Sequence, residues 1–216
     1  MQIDKNAVLS KLRSDIVAGE FESGARLRID ELATRYGVSP MPIREALHHL
    51  NGEGLIVITH NRGARVRHID ARLVENLFDI RISLETMLTR RGAERRTSQD
   101  VKAMIAEQER FEGFIAAGDN IAVLQSNRAF HKIIHEAADN EEALSLADRH
   151  WFLVATLWQR FGYRQERFAG VISDHRQLIA AVETRDGAAA AAIMQAHVIK
   201  AKLELLAILR EQEKSA

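Results

Sequence analysis

Three histidines, His131, His175 and His197, stand where they could share one metal ion. A neutral imidazole offers a nitrogen lone pair to divalent transition ions. His131 falls on a helical face with Leu124, Ile134 and Ala138, and Asn127 lies one turn earlier on that face. His175 shares its face with Val171, Leu178, Ile179 and Val182, and His197 with Ile193, Met194, Ala201 and Leu205. Apolar neighbours at helical spacing mark all three faces as inward. One such histidine is ordinarily a core residue with a hydrogen-bond partner. Three on inward faces of one bundle point to a common site. His175 and His197 are placed symmetrically about Asp186, the turn of an antiparallel helical pair. At about 1.5 Å per residue both sit roughly 16 Å from that turn, at the same height. Asn127 and His131, at i and i+4, add two ligands from a third helix. Three imidazoles and one oxygen suit Zn²⁺, Ni²⁺ or a related divalent ion, with positions left open for a ligand. His135 and His150 join this arrangement less cleanly and are expected on the surface or in the core.

Arg81 is the nearest candidate for binding an anion. It lies on or beside the stripe Leu73, Leu77, Ile80, Leu84 and Leu88, and Glu85 follows four residues later. Two readings stand. One is an Arg81–Glu85 pair at the edge of the stripe. The other is an arginine that faces the interior and takes a small carboxylate in a two-pronged grip.

A different chemistry gathers around Ser39. Gly37-Val38-Ser39 forms a tight turn, with Ser39 as an N-cap. Pro40 and Pro42, the only prolines, fall in the first helical turn, where a missing N–H costs little. Pro42 cannot supply the donor that a Ser39 cap would use, so the regular helix is expected to start at Pro42. Ala46, Leu47 and Leu50 would pack inward, leaving Arg44 and His48 on one outer face. A helix start carrying Ser39, Met41 and Arg44 suits entry into a DNA major groove. Downstream, His60-Asn61-Arg62-Gly63-Ala64-Arg65-Val66-Arg67-His68 holds three arginines, two histidines and no acid. On a hairpin, His60, Arg62 and Arg65 would make a basic wing for phosphates or a minor groove.

The elements that must carry these groups differ between the two parts of the chain. Residues 1–70 contain both prolines and read as short segments. Helices are expected from about Ile3 to Ala18, from Ile29 or Asp30 to Tyr36 and from about Met41 to Gly52. Strands follow at Leu55–Thr59 and Arg65–Arg67, around a turn at Asn61-Arg62-Gly63. That order is a winged helix-turn-helix. Residues 71–216 have no proline and read as about six helices, near 71–95, 99–117, 121–138, 141–161, 168–184 and 187–212. The fold class is therefore mainly α: three helices and a hairpin wing, then an all-α bundle.

Bulk properties bound the partners. The 216 residues carry 30 basic and 30 acidic side chains, and residues 1–70 hold 10 basic against 9 acidic. Any attraction to nucleic acid must then be local. Cysteine is absent, which suits a reducing cytoplasm. No signal peptide and no span long and apolar enough for a bilayer are evident.

The segment from Ile16 to Val66 resembles the winged-helix domain of the GntR superfamily. The resemblance is carried by Gly24-Ala25-Arg26-Leu27, Glu31-Leu32-Ala33, Tyr36-Gly37-Val38-Ser39, Pro42-Ile43-Arg44-Glu45-Ala46-Leu47, Leu50, Glu53-Gly54-Leu55, and Gly63 with Val66. It implies DNA contacts from Ser39, Met41, Arg44 and the wing at His60–Arg62. The second part resembles the FCD effector domain of the FadR-like members. Here the signatures are Arg81 with Leu84-Glu85, Asn127-Arg128-Ala129-Phe130-His131, Asp139-Asn140, and His175 with Leu178, leading through Arg185-Asp186-Gly187 to Met194 and His197. This resemblance implies a metal held by an acid or amide and three histidines, with a small organic acid bound there and aided by an arginine. Many members carry Asp where this chain has Asn127.

Together these readings predict a homodimeric regulator of a roughly palindromic operator on double-stranded DNA, controlled by a carboxylate effector. A metal-dependent enzyme using the three-histidine site is the alternative, although no His-Glu-x-x-His motif supplies a general base. A helical scaffold with histidines in its core is a third.

Overall fold

Apolar spacing sets the elements of the N-terminal part. A computed structural model describes residues 5–59, 63–162 and 164–215, with side chains over 7–59, 63–162 and 164–212. By contact the chain divides into two units: Met1–Asp70 with Asp148–Arg160, and Ala71–Ala147 with Phe161–Ala216.

In the first unit, α1 (Lys5–Val17) buries Val8, Leu12 and Ile16, spaced four apart along one stripe. Helix α2 (Ile29–Tyr36) buries Leu32 and Ala33, and stops at Gly37, which takes the left-handed conformation at φ 65°. Helix α3 (Pro40–Gly52) buries Ile43, Ala46, Leu47 and Leu50 against these two. The Tyr36 hydroxyl donates to the buried Asp15 carboxylate at 2.8 Å and ties α2 to α1. Burial first, and then the Asp15 carboxylate, pushes the Tyr36 pKa upward.

The wing is a three-stranded antiparallel sheet in the order β1-β3-β2, built from β1 (Arg26–Leu27), β2 (Ile56–Thr59) and β3 (Gly63–Val66). Its register pairs Arg26 with Arg65, Ile56 with Val66, and Thr59 with Gly63. Strand β1 lies outside the sequence expectation, because two residues are too few to show alternation. Sequence places Asn61 and Arg62 in the turn and His60 beside it; all three lie outside the described residues.

The second unit is helical: α4 (Ala71–Arg95), α5 (Ser98–Ala117), α6 (Asn120–Ala137), α7 (Glu141–Arg149), α9 (Gln165–Glu183) and α10 (Gly187–Ser215). Helix α4 packs most extensively on α10 and also meets α6 and α9, while α5 joins α6 and α9. At Gly92 the backbones of α4 and α6 come so close that an added Cβ would overlap the Ile134 carbonyl. Thr97 and Asp100 start α5 with a capping box.

The single helix expected over 141–161 is two. Helix α7 ends at Arg149, and α8 (Trp151–Phe161) starts after His150. Ala143 packs with Leu88 and Ala138 in the second unit. Helix α8 belongs by contact almost wholly to the first unit, where Phe152 lies 4.6 Å from the Arg13 guanidinium and Leu153 faces Gly54. The span 148–160, placed with the bundle by sequence, thus packs with the N-terminal unit.

Candidate metal centre and nucleic-acid interface

Three helices of the second unit each bring one imidazole to a common point. His131 comes from α6, His175 from α9 and His197 from α10, and all three are buried. One potential ligand atom from each lies within 4.8 Å of the other two. The ring centroids form a near-equilateral triangle: 5.0 Å from His131 to His175, 5.0 Å from His131 to His197, and 5.3 Å between His175 and His197. Modest side-chain rotation brings such a set onto one ion at the usual metal–nitrogen distance of about 2.0–2.1 Å. The Nδ1 of His131 and the Nε2 of His175 are buried without a hydrogen-bond partner. Orphaned buried nitrogens of this kind are costly in an apolar interior, and a cation would satisfy them. The residues present fit a divalent metal.

The surrounding charges support neutral rings. Burial lowers His131, and the neighbouring His197, His175, His135 and Arg81 lower it further. Burial also lowers His175, with His197 adding to the effect. His197 falls below the ordinary range for the same reason, although its hydrogen bond with Asp174 pulls the other way. Neutral imidazole is the form that binds metal.

Other residues marked in the sequence fall into place around this triangle. Asn127 is half-buried on α6, one turn before His131. Arg81 donates through Nε to Glu85 Oε1 at 2.7 Å, so the intrahelical pair is formed. Its guanidinium lies 4.8 Å from the Phe78 ring centroid. Burial raises Glu85, but Arg81, His135 and His197 outweigh it and hold the carboxyl below its ordinary range. His135 is buried, 6.2 Å from His131 by ring centroid; His150 is half-buried between α7 and α8. A cavity of about 200 Å³ between α9 and α10 reaches His197, with Arg167, Lys200, Asp174 and Glu204 among its lining residues.

Sequence reasoning missed two partners of the imidazoles. Gln108 on α5 lies 2.7 Å from His175 Nδ1, and Asp174 lies 3.2 Å from His197 Nδ1. Asp174 adjoins His175 in the chain, which was a usable signal. Gln108 offered none, because nothing in α5 pointed to a site.

In the first unit the outer face of α3 is open. Ser39, Met41, Arg44 and His48 are exposed, with Met41 at 61%. Ser39 is the N-cap in extended conformation, but its side chain makes no capping bond. The helix nevertheless starts at Pro40, because both prolines already hold φ near the helical value. A cavity of about 430 Å³ runs between α3 and the sheet, lined by Arg26, Arg28, Arg44, His48, Ile58 and Gly63 among others. Arg26 and Arg28 were not singled out as contacts from sequence, although Arg26 lies within the Gly24–Leu27 motif. Arg65 is exposed, with Nη1 on the Gly24 carbonyl at 3.0 Å. Arg67 is turned inward, donating to the Gly54 carbonyl at 2.5 Å. His60 and Arg62 lie outside the described residues. No helix among the described residues is long and apolar enough to cross a membrane.

Comparison with known proteins matches both parts of the chain. The family model described as "Bacterial regulatory proteins, gntR family" matches residues 5–66, and that described as "FCD domain" matches residues 76–200. The chain is 29% identical over 201 residues to the Nta operon transcriptional regulator of Aminobacter aminovorans, covering 90% of each. It is 27% identical over 196 residues to the HTH-type transcriptional repressor GlaR of Escherichia coli, covering 87% of this chain and 89% of that one. The solved structure of E. coli McbR/YncC superposes with a TM-score of 0.74 at 22% identity, over 97% of this chain and 98% of that one. That last likeness concerns the fold. These relatives are regulators of transcription, not enzymes.

Proposed function

The chain belongs to the gntR family of bacterial regulatory proteins and carries an FCD domain, and on that premise we propose that a small organic acid, held at a divalent metal, controls its binding to an operator. DNA-binding regulation of transcription is the family's activity. The finer reading assigns residues 1–70 to DNA and 71–216 to effector binding and dimerisation, with α8 returning to pack in the first unit. The observation that carries it is the buried triangle of His131, His175 and His197.

In this reading the three imidazoles and Asn127 hold Zn²⁺ or Ni²⁺. When bound, the metal supplies a Lewis acid for an effector carboxylate. Arg81, braced by Glu85 through Nε, offers its remaining donors to the same anion. The cavity beside His197 gives a route inward. An effector that prefers one arrangement of the bundle shifts the population toward it.

On the DNA side, Arg44 and His48 project from α3 into a major groove, with Ser39 and Met41 at its leading end. Arg65, with His60 and Arg62, makes the wing contact to backbone or minor groove. Two copies in a homodimer meet a palindromic operator, working in the cytoplasm. Exposed Ile199 and Leu203, one turn apart on α10, support an apolar contact between copies. The metalloenzyme alternative loses its ground, because the relatives are regulators.

Elemental analysis of the purified chain, with operator binding measured by fluorescence anisotropy at fixed salt, tests this reading. The expected result is one metal per chain, absent from His175→Ala, and an operator affinity that changes when a panel of di- and hydroxycarboxylates is added to the metal-loaded protein. A wild-type chain that neither retains nor takes up Zn²⁺ or Ni²⁺ overturns the metal assignment. Operator binding indifferent to every carboxylate overturns the control mechanism.

A further inference from the structure

Two of the three imidazoles are held from behind. Gln108 is 4% exposed, and its amide sits between two groups. Its Oε1 lies 2.7 Å from His175 Nδ1, and its Nε2 lies 2.8 Å from Glu112 Oε1. Glu112 in turn accepts from Arg176, through Nη2 at 2.9 and 2.8 Å and through Nε at 3.2 Å. A carboxylate gripped by a guanidinium only accepts hydrogen bonds. The amide nitrogen must therefore face Glu112, and the amide oxygen must face His175. Flipping the amide would set two acceptors against each other at Glu112. With an oxygen opposite, His175 Nδ1 must carry the proton, which leaves the lone pair on Nε2. That Nε2 is the buried atom without a partner. Phe130 lies on the ring at 4.0 Å between centroids and 13° between planes, which restrains rotation of the imidazole.

His197 is set the same way from another direction. Its Nδ1 faces Asp174 Oδ2 at 3.2 Å, and Asp174 Oδ1 accepts from Lys200 Nζ at 2.6 Å. Opposite a carboxylate, Nδ1 is again the donor and Nε2 again holds the lone pair. His131 differs, since its Nδ1 has no hydrogen-bond partner.

We propose that Gln108, oriented by the Glu112–Arg176 pair, and Asp174, oriented by Lys200, are positioning residues that fix His175 and His197 as Nδ1–H tautomers, so that both present Nε2 to the metal before it arrives. The inference rests on the metal-centre reading and deepens it. A free imidazole populates both tautomers, and a ring that presents N–H must change form before it can bind. Loss of an outer partner of a ligating histidine typically weakens metal binding by about 10–100-fold. The long path from Arg176 to His175 also makes a surface pair part of the centre.

Long-range ¹H–¹⁵N correlation spectra of the metal-free, full-length chain with labelled histidine read the tautomers directly. His175 and His197 are expected as Nδ1–H, with His131 not so restricted. Zn²⁺ affinity is then measured by competition with a chromophoric chelator. Gln108→Leu and Asp174→Asn are expected to weaken it by about 10–100-fold while the circular dichroism spectrum stays native. Glu112→Gln lies nearer the surface and tolerates substitution. It should give mixed tautomers at His175 and a smaller loss in the same direction. Gln108→Glu combined with Glu112→Gln, which keeps an acceptor opposite Nδ1 and lets the amide at 112 donate to it, should retain the Nδ1–H signature. A role in packing alone would leave the tautomers unmoved. Zn²⁺ binding with His175 as Nε2–H, or with affinity unchanged in both Gln108→Leu and Glu112→Gln, overturns this inference and leaves the metal centre standing. A wild-type chain that binds neither Zn²⁺ nor Ni²⁺ removes both.

Discussion

Arg44 and His48 stand in water on the outer face of α3, whereas His131, His175 and His197 are enclosed in the packed centre of the second unit. The two sets meet different physical costs. A cation on a helix surface keeps its hydration until a phosphate or base edge replaces it. A buried imidazole has already lost its water, so its neighbours decide its protonation and its tautomer. The surface set needs one helix with its start correctly placed. The buried set needs helices from separate parts of the chain to meet at one depth. Changes on the outer face of α3 should thus move DNA affinity with little effect on stability, and changes in the centre should move stability and metal binding together.

Gly92→Leu attacks the depth of the centre and carries the largest expected effect. Its side chain has no room against the Ile134 carbonyl, one turn from His131. Loss of unfolding free energy should reach about 3 kcal/mol or more in urea titration. A loss under about 1 kcal/mol would show that this contact does not set the spacing of α4 and α6.

Acid is the next test. All three imidazoles are depressed below the ordinary value of 6.5 in the folded chain. The unfolded chain then binds protons first as pH falls. Stability contributed by the neutral rings is fully present above pH 6.5 and is lost on going below it, down through the folded values. A ring whose folded value lies well below 6.5, as for His131 and His175, should cost about 1 kcal/mol over the first pH unit below 6.5, and His197 adds in the same direction. Denaturant titrations of metal-free protein at pH 7.5, 6.5 and 5.5 measure this. A flat profile would mean that the rings accept protons in place.

Arg44→Ala sharpens the other side. Operator affinity at fixed salt should fall by about 1–3 kcal/mol, or roughly 5–150-fold. Unfolding free energy should change by no more than about 0.5 kcal/mol, as for an exposed position. A comparable fall in both quantities would break the separation between the two regions.

The smallest effect is expected at Ser39. An ordinary N-cap serine contributes about 1 kcal/mol. Ser39 makes no capping bond, and Pro42 has no N–H to give it. Ser39→Ala should accordingly change thermal stability by less than about 0.5 kcal/mol, while any loss in operator affinity would report a contact to DNA.

The helix-turn-helix was legible because its signals are local. Gly37, Ser39 and the two prolines mark the turn and the helix start within six residues, and Ile43, Ala46, Leu47 and Leu50 fix which face turns inward. Strand β1 was not legible, since its two residues gain their meaning only from pairing with β3. The break at His150 was missed for a related reason. Helical periodicity continues through it, and only the contacts show that α8 groups with the first unit.

The sequence alone determined that three histidines lie on inward faces and that two of them sit at equal height about Asp186. Those statements need only the helical period and the rise per residue. It also determined that Arg81 and Glu85 could pair, since four residues make one turn. Tertiary structure decided what no period encodes: that Nδ1 of His175 is held by Gln108 from α5 and Nδ1 of His197 by Asp174 from α9. Hydrogen bonds between helices depend on the distance and rotation at which the helices pack. Those are set by close contacts such as Gly92 of α4 on Ile134 of α6, one turn from His131.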